Sequence, residues 1–328
     1  MAPVRLMIGF ALAATSLLSN PVAAQTAPSR PITLIVPFAA GGPTDVIGRI
    51  VADSMSRTLG VAVVVENVAG NSGVTGVTRA ARATPDGTTL VVGNMGTHAA
   101  AVSLQANLPY DPLRDFAPVG LIASTPMLLL ASPRVPARDL PAFIAHVKAN
   151  ANRLNFGTAG VGTTSHLACA MFNALIGVEV THIPYRGTAP VLNALISGEI
   201  DYGCDQTAGA LPQVLAGTVR GLAIATRTRT PAAPDLPTSV EGGLPDFQAT
   251  AWNALFAPRG TSPEVVARLA AALQTALADP AVSARLTQLG AELPAPADRE
   301  PAALTALVRS EIDKWGGIIR EAGIAPAP

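Results

Sequence analysis

Arg30 to Gly60 reads RPITLIVPFAAGGPTDVIGRIVADSMSRTLG. The stretch opens on an apolar run, Ile32, Leu34, Ile35 and Val36, and breaks at Phe38-Ala39-Ala40-Gly41-Gly42. From Pro43 the apolar residues recur at Val46, Ile47, Ile50, Val51, Met55 and Leu59, the spacing of one helix face. Gly42 suits an N-cap, Pro43 the first helical turn and Gly60 the C-terminal stop. The reading is buried strand, glycine loop, helix. That geometry aims unpaired backbone N–H groups and the positive end of a helix at whatever lies above the strand. It is a seat for an anion.

The same alternation continues outward. Val61–Glu66 reads as a second strand, ending in the glycine-rich loop Asn67 to Gly73. A short helix over 74–83, a Pro85-Asp86-Gly87 turn and a third strand over 88–92 follow, closing at Gly93 to His98. Strands alternating with helices imply a parallel sheet, with ligands beyond the C-terminal strand ends. Residues 116–132 are extended and apolar, long for one strand and interrupted by Pro126. They are read as one strand leaving a first domain and another entering a second. After a helix at 139–150, a strand at 154–156, the loop Gly157 to His166 and a helix at 167–176 repeat the opening device. Strands at 178–184 and 199–204 flank a helix at 190–197, and Asp205 ends the later strand.

The strand Val219–Thr226 is expected to return to the first domain, and 227–245 to connect without an element. A strand with Trp252 and helices at 263–279, 280–290 and 301–322 complete the chain before a loose tail at 325–328. The expected fold is α/β: a two-domain clamshell, each domain a mainly parallel sheet flanked by helices. Residues 25–124 and 227–328 form domain 1 and 125–226 domain 2, with hinge strands near 116–130 and 219–228.

Bulk composition narrows the function. The chain has 328 residues, 49% hydrophobic and 13% charged, which marks a packed globular protein. Twenty-two basic residues balance 22 acidic ones with no long run of either sign, which argues against nucleic acid or an anionic membrane as partner. Residues 1–24 read as a signal peptide: Arg5, an apolar stretch from Leu6 to Leu18, then Val22-Ala23-Ala24. The mature protein is expected to be exported to the periplasm, soluble, monomeric and without a membrane span. Cys169 and Cys204 sit in apolar patterns and read as small buried thiols, with a disulfide the lesser alternative.

No catalytic centre stands out. Neither glycine loop matches GxGxxG or a phosphate-binding loop, so no nucleotide cofactor is implied, nor any other. A hydrolase or transferase on the same scaffold is the alternative function. Ser165-His166 invites it, but adjacent residues seldom present the nucleophile-to-base hydrogen bond, and no GxSxG elbow exists. His98, His146, His166 and His182 show no metal-ligand spacing. Asp45, in the first helical turn, reads as a partner of the helix dipole. Thr163, Thr164 or Ser165 must cap the helix they open.

Seven ordered segments carry a resemblance: PITLIVPFAAGGPTDVIGR, TPDGTTLVVG, LPYDPLRDFAPV, LNFGTAGVGTTSHL, HIPYRGTAPVLNALISGEID, LPTSVEGGLPDF and AWNALFAP. Together they resemble the substrate-binding proteins of tripartite tricarboxylate transporters, the Bug receptors. The resemblance implies a type II periplasmic-binding-protein fold and non-covalent capture of a small carboxylate for delivery to membrane transporter or sensor subunits. It implies ligand contacts at Phe38, Gly42, Pro43, Asp45, Asn71, Ser72, Gly73 and Thr97 in the first domain. In the second they fall on Gly162, Thr163, Thr164, Ser165, His166, Tyr185 and Asp205. Asp205, with Tyr185 and Arg186, is implied to cover the distal half of the ligand. An anionic Asp205 there disfavours a second carboxylate, pointing to an amino acid or an aromatic monocarboxylic acid rather than citrate.

Overall fold

The computed structural model describes residues 30–321; the leader expected at 1–24 and the tail expected at 325–328 lie outside them. The opening stretch folds as read, with β1 (Ile32–Val36), a glycine turn and α1 (Pro43–Leu59). Ile32, Leu34, Ile35 and Val36 are all essentially inaccessible, which is why the run is continuously apolar rather than alternating. Next come β2 (Val63–Asn67), α2 (Val74–Ala81), β3 (Thr89–Asn94) and, after a wide helical turn over Gly96–Ala100, α3 (Ala101–Leu104).

The chain continues through β4 (Phe116–Ala131), α4 (Leu140–Asn150), β5 (Asn155–Thr158), α5 (Thr164–Ile176) and β6 (Thr181–Pro184). It then runs through α6 (Thr188–Ser197), β7 (Tyr202–Gln206), α7 (Thr207–Leu215) and β8 (Arg220–Ile224). β9 (Thr250–Pro258), α8 (Pro263–Ala278), α9 (Pro280–Gln288) and α10 (Pro301–Glu321) complete it. α7 was not foreseen; Pro212 lies inside it.

One nine-stranded sheet runs β2-β1-β3-β9-β4-β7-β5-β6, with β8 beside β4. β1, β2 and β3 are parallel, as are β5, β6 and β7, so each group ends on one edge. β4 joins the two. It is a single strand of 16 residues where two had been expected. Phe116–Pro126 pairs with β9, whereas Met127–Ala131 pairs with β7 and β8. Pro126 therefore falls at the change of partner, where a missing N–H disrupts the ladders least.

The return path also differs from expectation. β8 does not lead back to the first half of the sheet but pairs with the second part of β4. The segment after it stays there too: Ala233 and Leu236 pack with α6 and α7, and Phe247 and Ala249 with α4 and α5. The chain recrosses only in β9. An apolar strand declares that it is buried, not in which half.

Helices cover both faces. α1, α8 and α9 meet the first half around Ile47, Val51, Leu269 and Leu273, and α2, α3 and α10 cover its other face around Val77, Leu104, Leu304 and Trp315. In the second half α4 and α5 bring Phe143 and Phe172, while α6 and α7 bring Leu195 and Leu211. Each such side chain contributes about 1.5–3 kcal/mol on burial. Among the described residues no single helix is long and apolar enough to cross a membrane. Cys169 and Cys204 are joined as a disulfide, a correction to the free-thiol reading. α5 lies across β7 and brings their Cα atoms to 5.5 Å, a spacing that a sequence separation of 35 does not reveal.

Candidate functional site

Four helices begin at one place. α1 follows β1, α5 follows β5, α6 follows β6 and α7 follows β7, each starting just past the C-terminal end of a strand. Between their N-termini lies a cavity of about 30 Å³. Phe38, Gly42, Pro43, Thr44 and Asn94 line it from the first half of the sheet. Ala159, Thr163, Thr164, Ser165, Thr188, Asp205 and Gln206 line it from the second. Among the described residues no lysine, arginine or histidine does so. Positive potential there comes from helix ends and backbone N–H groups alone.

Phe38 and Ala159 also line an adjoining outer chamber of about 430 Å³. It takes in Asn71, Ser72, Gly73, Tyr185 and Arg186. The loop there is strained, since Asn71 and Ser72 both adopt positive φ (42° and 53°), uncommon for residues with a side chain. The two halves touch at this point. A methyl group placed on Gly160 would stand 2.8 Å from Ser72 Oγ.

Thus seven of the expected contacts, Phe38, Gly42, Pro43, Thr163, Thr164, Ser165 and Asp205, meet at the inner cavity. Asn71, Ser72, Gly73 and Tyr185 meet at the outer one. The remaining four line neither. Asp45 accepts from Gly41 N at 2.9 Å and from Asn67 Nδ2 at 2.8 Å, and pairs with Arg49. Burial raises its pKa, but these bonds outweigh it and hold the carboxyl below its usual range. Asp45 shapes the glycine turn. Thr97 lies behind Asn94, whose Oδ1 accepts from Thr97 N at 3.0 Å, and Tyr110 donates to the Thr97 carbonyl at 2.7 Å. Gly162 packs against Leu104 of α3.

His166 points away from the cavity, where it stacks on His182 with ring centroids 4.4 Å apart. Its Nδ1 accepts from Gly162 N at 3.1 Å, and burial lowers its pKa to about 4. Ser165 Oγ accepts from Ala159 N at 2.9 Å and lies 3.0 Å from Thr163 Oγ1. Ser165 and His166 are thus bonded elsewhere and form no nucleophile–base pair.

Sequence reasoning missed Thr44, Asn94, Thr188 and Gln206. Each stands at a strand end or a helix start, the one signal that could have found them. Beneath the cavity Thr44, Asn94 and Gln206 join a buried polar network. Thr44 Oγ1 donates to Asn253 Oδ1 at 3.2 Å, and Asn253 Nδ2 donates to Gln206 Oε1 at 3.0 Å. Asn94 Nδ2 donates to Thr44 and Thr125 Oγ1 to Gln206.

Two buried side-chain atoms at the cavity, Thr164 Oγ1 and Asp205 Oδ2, have no hydrogen-bond partner among the described residues. Asp205 is 3% exposed, and its Oδ1 accepts from Thr188 Oγ1 at 3.0 Å. Burial pushes its pKa up to about 7, against the hydrogen bonds from Gln206 N–H and Thr188. Unsatisfied buried polar atoms are costly, so their convergence on one cavity makes it the candidate binding site.

Comparison with known proteins identifies the family. The family model for the tripartite tricarboxylate transporter family receptor matches residues 47–324. The structure of the periplasmic binding protein BugD is similar at TM-score 0.88 and 40% identity, covering 92% of this chain and all of that one. MatC from Rhodopseudomonas palustris, solved with bound malate, is similar at TM-score 0.86 and 45% identity, over 89% of this chain and 99% of its own. A second R. palustris protein, solved with adipate, reaches TM-score 0.88 at 34% identity, over 92% and 99%. The chain belongs to the tripartite tricarboxylate transporter receptor family, and is a solute-binding receptor rather than an enzyme.

Proposed function

We propose that the protein is exported, closes on a small carboxylate between two lobes, and presents the closed complex to the membrane subunits of a tripartite tricarboxylate-type transporter. The carboxylate rests on backbone N–H groups of the α1 and α5 N-termini and on the Thr164 hydroxyl. Pro43 has no N–H, so on the α1 side the donors are those of Gly42 and Thr44. Asp45, Thr97 and His166 support these loops from behind. The lobes are residues 30–125 with 252–321, and 127–250. Their hinge lies where β4 and β9 run side by side, Ala123 opposite Asn253 and Pro126 opposite Thr250.

One observation carries this reading: four helix N-termini converge on a cavity that no cationic side chain among the described residues lines. Such a site holds an anion by fixed dipoles and leaves little for a neutral sugar to gain. Malate in MatC and adipate in the second R. palustris protein are ligands of this class. A thermal-shift screen of mono-, di- and tricarboxylates, amino acids, aromatic acids and neutral sugars tests it. A carboxylate at 100 times its Kd is expected to add about 2.7 kcal/mol and raise the melting temperature. Stabilisation by a neutral sugar, with none by any carboxylate, overturns the proposal.

A further inference from the structure

We propose that His166 and His182 make the loop opening α5 acid-sensitive: protonation of His166 breaks its hydrogen bond from Gly162, frees Gly160–Thr163 and lets a bound carboxylate go. The inference rests on the carboxylate-receptor reading and adds a regulation to that site. The loop parts the two chambers, with Thr163 lining the inner one and Gly160 and Val161 the outer. Both histidines hold it from behind. His166 Nδ1 accepts from Gly162 N at 3.1 Å, so that nitrogen is bare and the ring proton sits on Nε2. His182 Nε2 lies 2.6 Å from Thr158 Oγ1, which in turn accepts from Gly160 N at 3.3 Å. The two imidazoles stack with centroids 4.4 Å apart, and His182 stacks on Phe156 at 4.8 Å.

The surroundings disfavour a positive charge on His166. A proton on Nδ1 would face the Gly162 N–H, donor against donor. The residue stands in the first turn of α5, at the positive end of that helix. A second cation on the stacked His182 would add repulsion. Nothing packed around the pair offsets this. β5 brings Phe156, the strand β6 and its approach bring Val178 and Val180, and α3 sets Leu104 against Gly162. Asn173 of α5 is taken by the Tyr202 hydroxyl of β7 at 2.8 Å. Glu179 is the one acid lining the hollow beside the rings, and among the described residues it pairs with neither.

Burial, joined at His182 by the charge of His166, lowers each pKa from 6.5 to about 4. A loop that lets go returns His166 to water and to its ordinary range. The held loop is therefore complete above pH 6.5 and is lost as the pH falls toward 4.

Nuclear magnetic resonance of the isotope-labelled, ligand-free protein, titrated from pH 8 to pH 4, tests the loop. At pH 8 His166 is expected to carry its proton on Nε2, and the Gly162 amide resonance to move with the His166 ring on acidification. A proton on Nδ1 at pH 8, a Gly162 amide indifferent to the ring, or global unfolding before His166 titrates overturns the proposal. Calorimetry with malate and with adipate at pH 7 and pH 5 tests release. Between these values the wild-type affinity is expected to fall about tenfold or more further than that of His166→Gln, which binds more weakly at pH 7 but has no proton to take up there. Asp205 and the carboxyl groups of the acids titrate in both proteins, so the difference in slope belongs to His166. Equal slopes overturn the release. Failure of both acids to bind the wild-type protein at pH 7 counts against the carboxylate reading instead, and the resonances, which need neither ligand nor variant, still decide the loop's response to acid.

Discussion

Single residues at the cavity divide into those that hold the loops and those that face it. Asp45 and Asp205 show how environment makes that division for one side-chain type. Asp45 is surrounded by donors and stays ionised; Asp205 is buried with one acceptor atom unused. The consequence for stability follows from the sign of the shift. Asp205 has a folded pKa of about 7 against a reference of 3.8, so between those values the folded state binds more protons than the unfolded one. Stability from this group is present at low pH and is lost as pH rises toward 7. Replacing Asp205 by Asn is therefore expected to stabilise the ligand-free protein at pH 8 by ~1–4 kcal/mol, and to change little near pH 4. Urea unfolding of both proteins at the two pH values measures this, and a variant less stable at pH 8 would refute it. His166 and His182, each lowered to about 4 by burial, weaken both proteins alike as pH falls below the ordinary histidine range, so the comparison isolates Asp205.

Among the elements, α7 decides how closely the two halves meet. A methyl group placed on Gly209 would lie 2.7 Å from Asp205 Oδ2 and 2.8 Å from Pro43 Cδ on α1. Gly209 is helical with ordinary backbone angles, so alanine there also gains helix propensity of about 1 kcal/mol. Gly209→Ala is expected to change the melting temperature of the ligand-free protein little, the gain in helix propensity being offset by the shift that Asp205, in the same half, must make. Its added methyl should hold α1 and α7 apart and weaken ligand binding by about tenfold or more, as a contact of 1.4 kcal/mol would. Calorimetry with a ligand from the thermal screen reads the affinity. An unchanged Kd would show that this contact is not part of the bound state. The Cys169–Cys204 bond serves the same region, because it ties α5, whose first turn faces the cavity, to the strand residue next to Asp205.

At the scale of the molecule, two strands carry both halves. β4 and β9 lie antiparallel across the junction, and Thr125, Asn253 and Gln206 knit them together beneath the cavity. The halves touch above that junction in this structure, at Ser72 with Gly160 and at Pro43 with Gly209. Closure about β4 and β9 predicts a population shift on binding. Small-angle scattering of the ligand-free protein should give a radius of gyration larger than that calculated for this closed arrangement, and saturating ligand should bring it down to that value. Equal radii with and without ligand would count against a hinge at β4 and β9.

Local chemistry was enough to identify much of this protein. The run Ile32–Val36, the glycine turn and the amphipathic α1 were legible because each is decided within a few residues by burial, backbone freedom and helical periodicity. The second strand–glycine loop–helix around Gly160 was legible for the same reason, and with it most of the inner cavity. Tertiary structure alone decided how separated pieces meet. Phe116–Ala131 is one strand because β9 lies beside its first part and β7 and β8 beside its last, so Pro126 meets a change of partner rather than an end. β8 stays in the second half because its ladder with Leu128–Ala131 is there, which its apolar composition does not encode. Cys169 and Cys204 bond because α5 crosses β7. Thr44, Asn94, Thr188 and Gln206 became cavity residues only when four helix starts converged, and Asp45, Thr97 and His166 line neither cavity, their polar atoms being engaged in the loops. Sequence specifies which groups a chain can offer; packing specifies which of them remain free to bind.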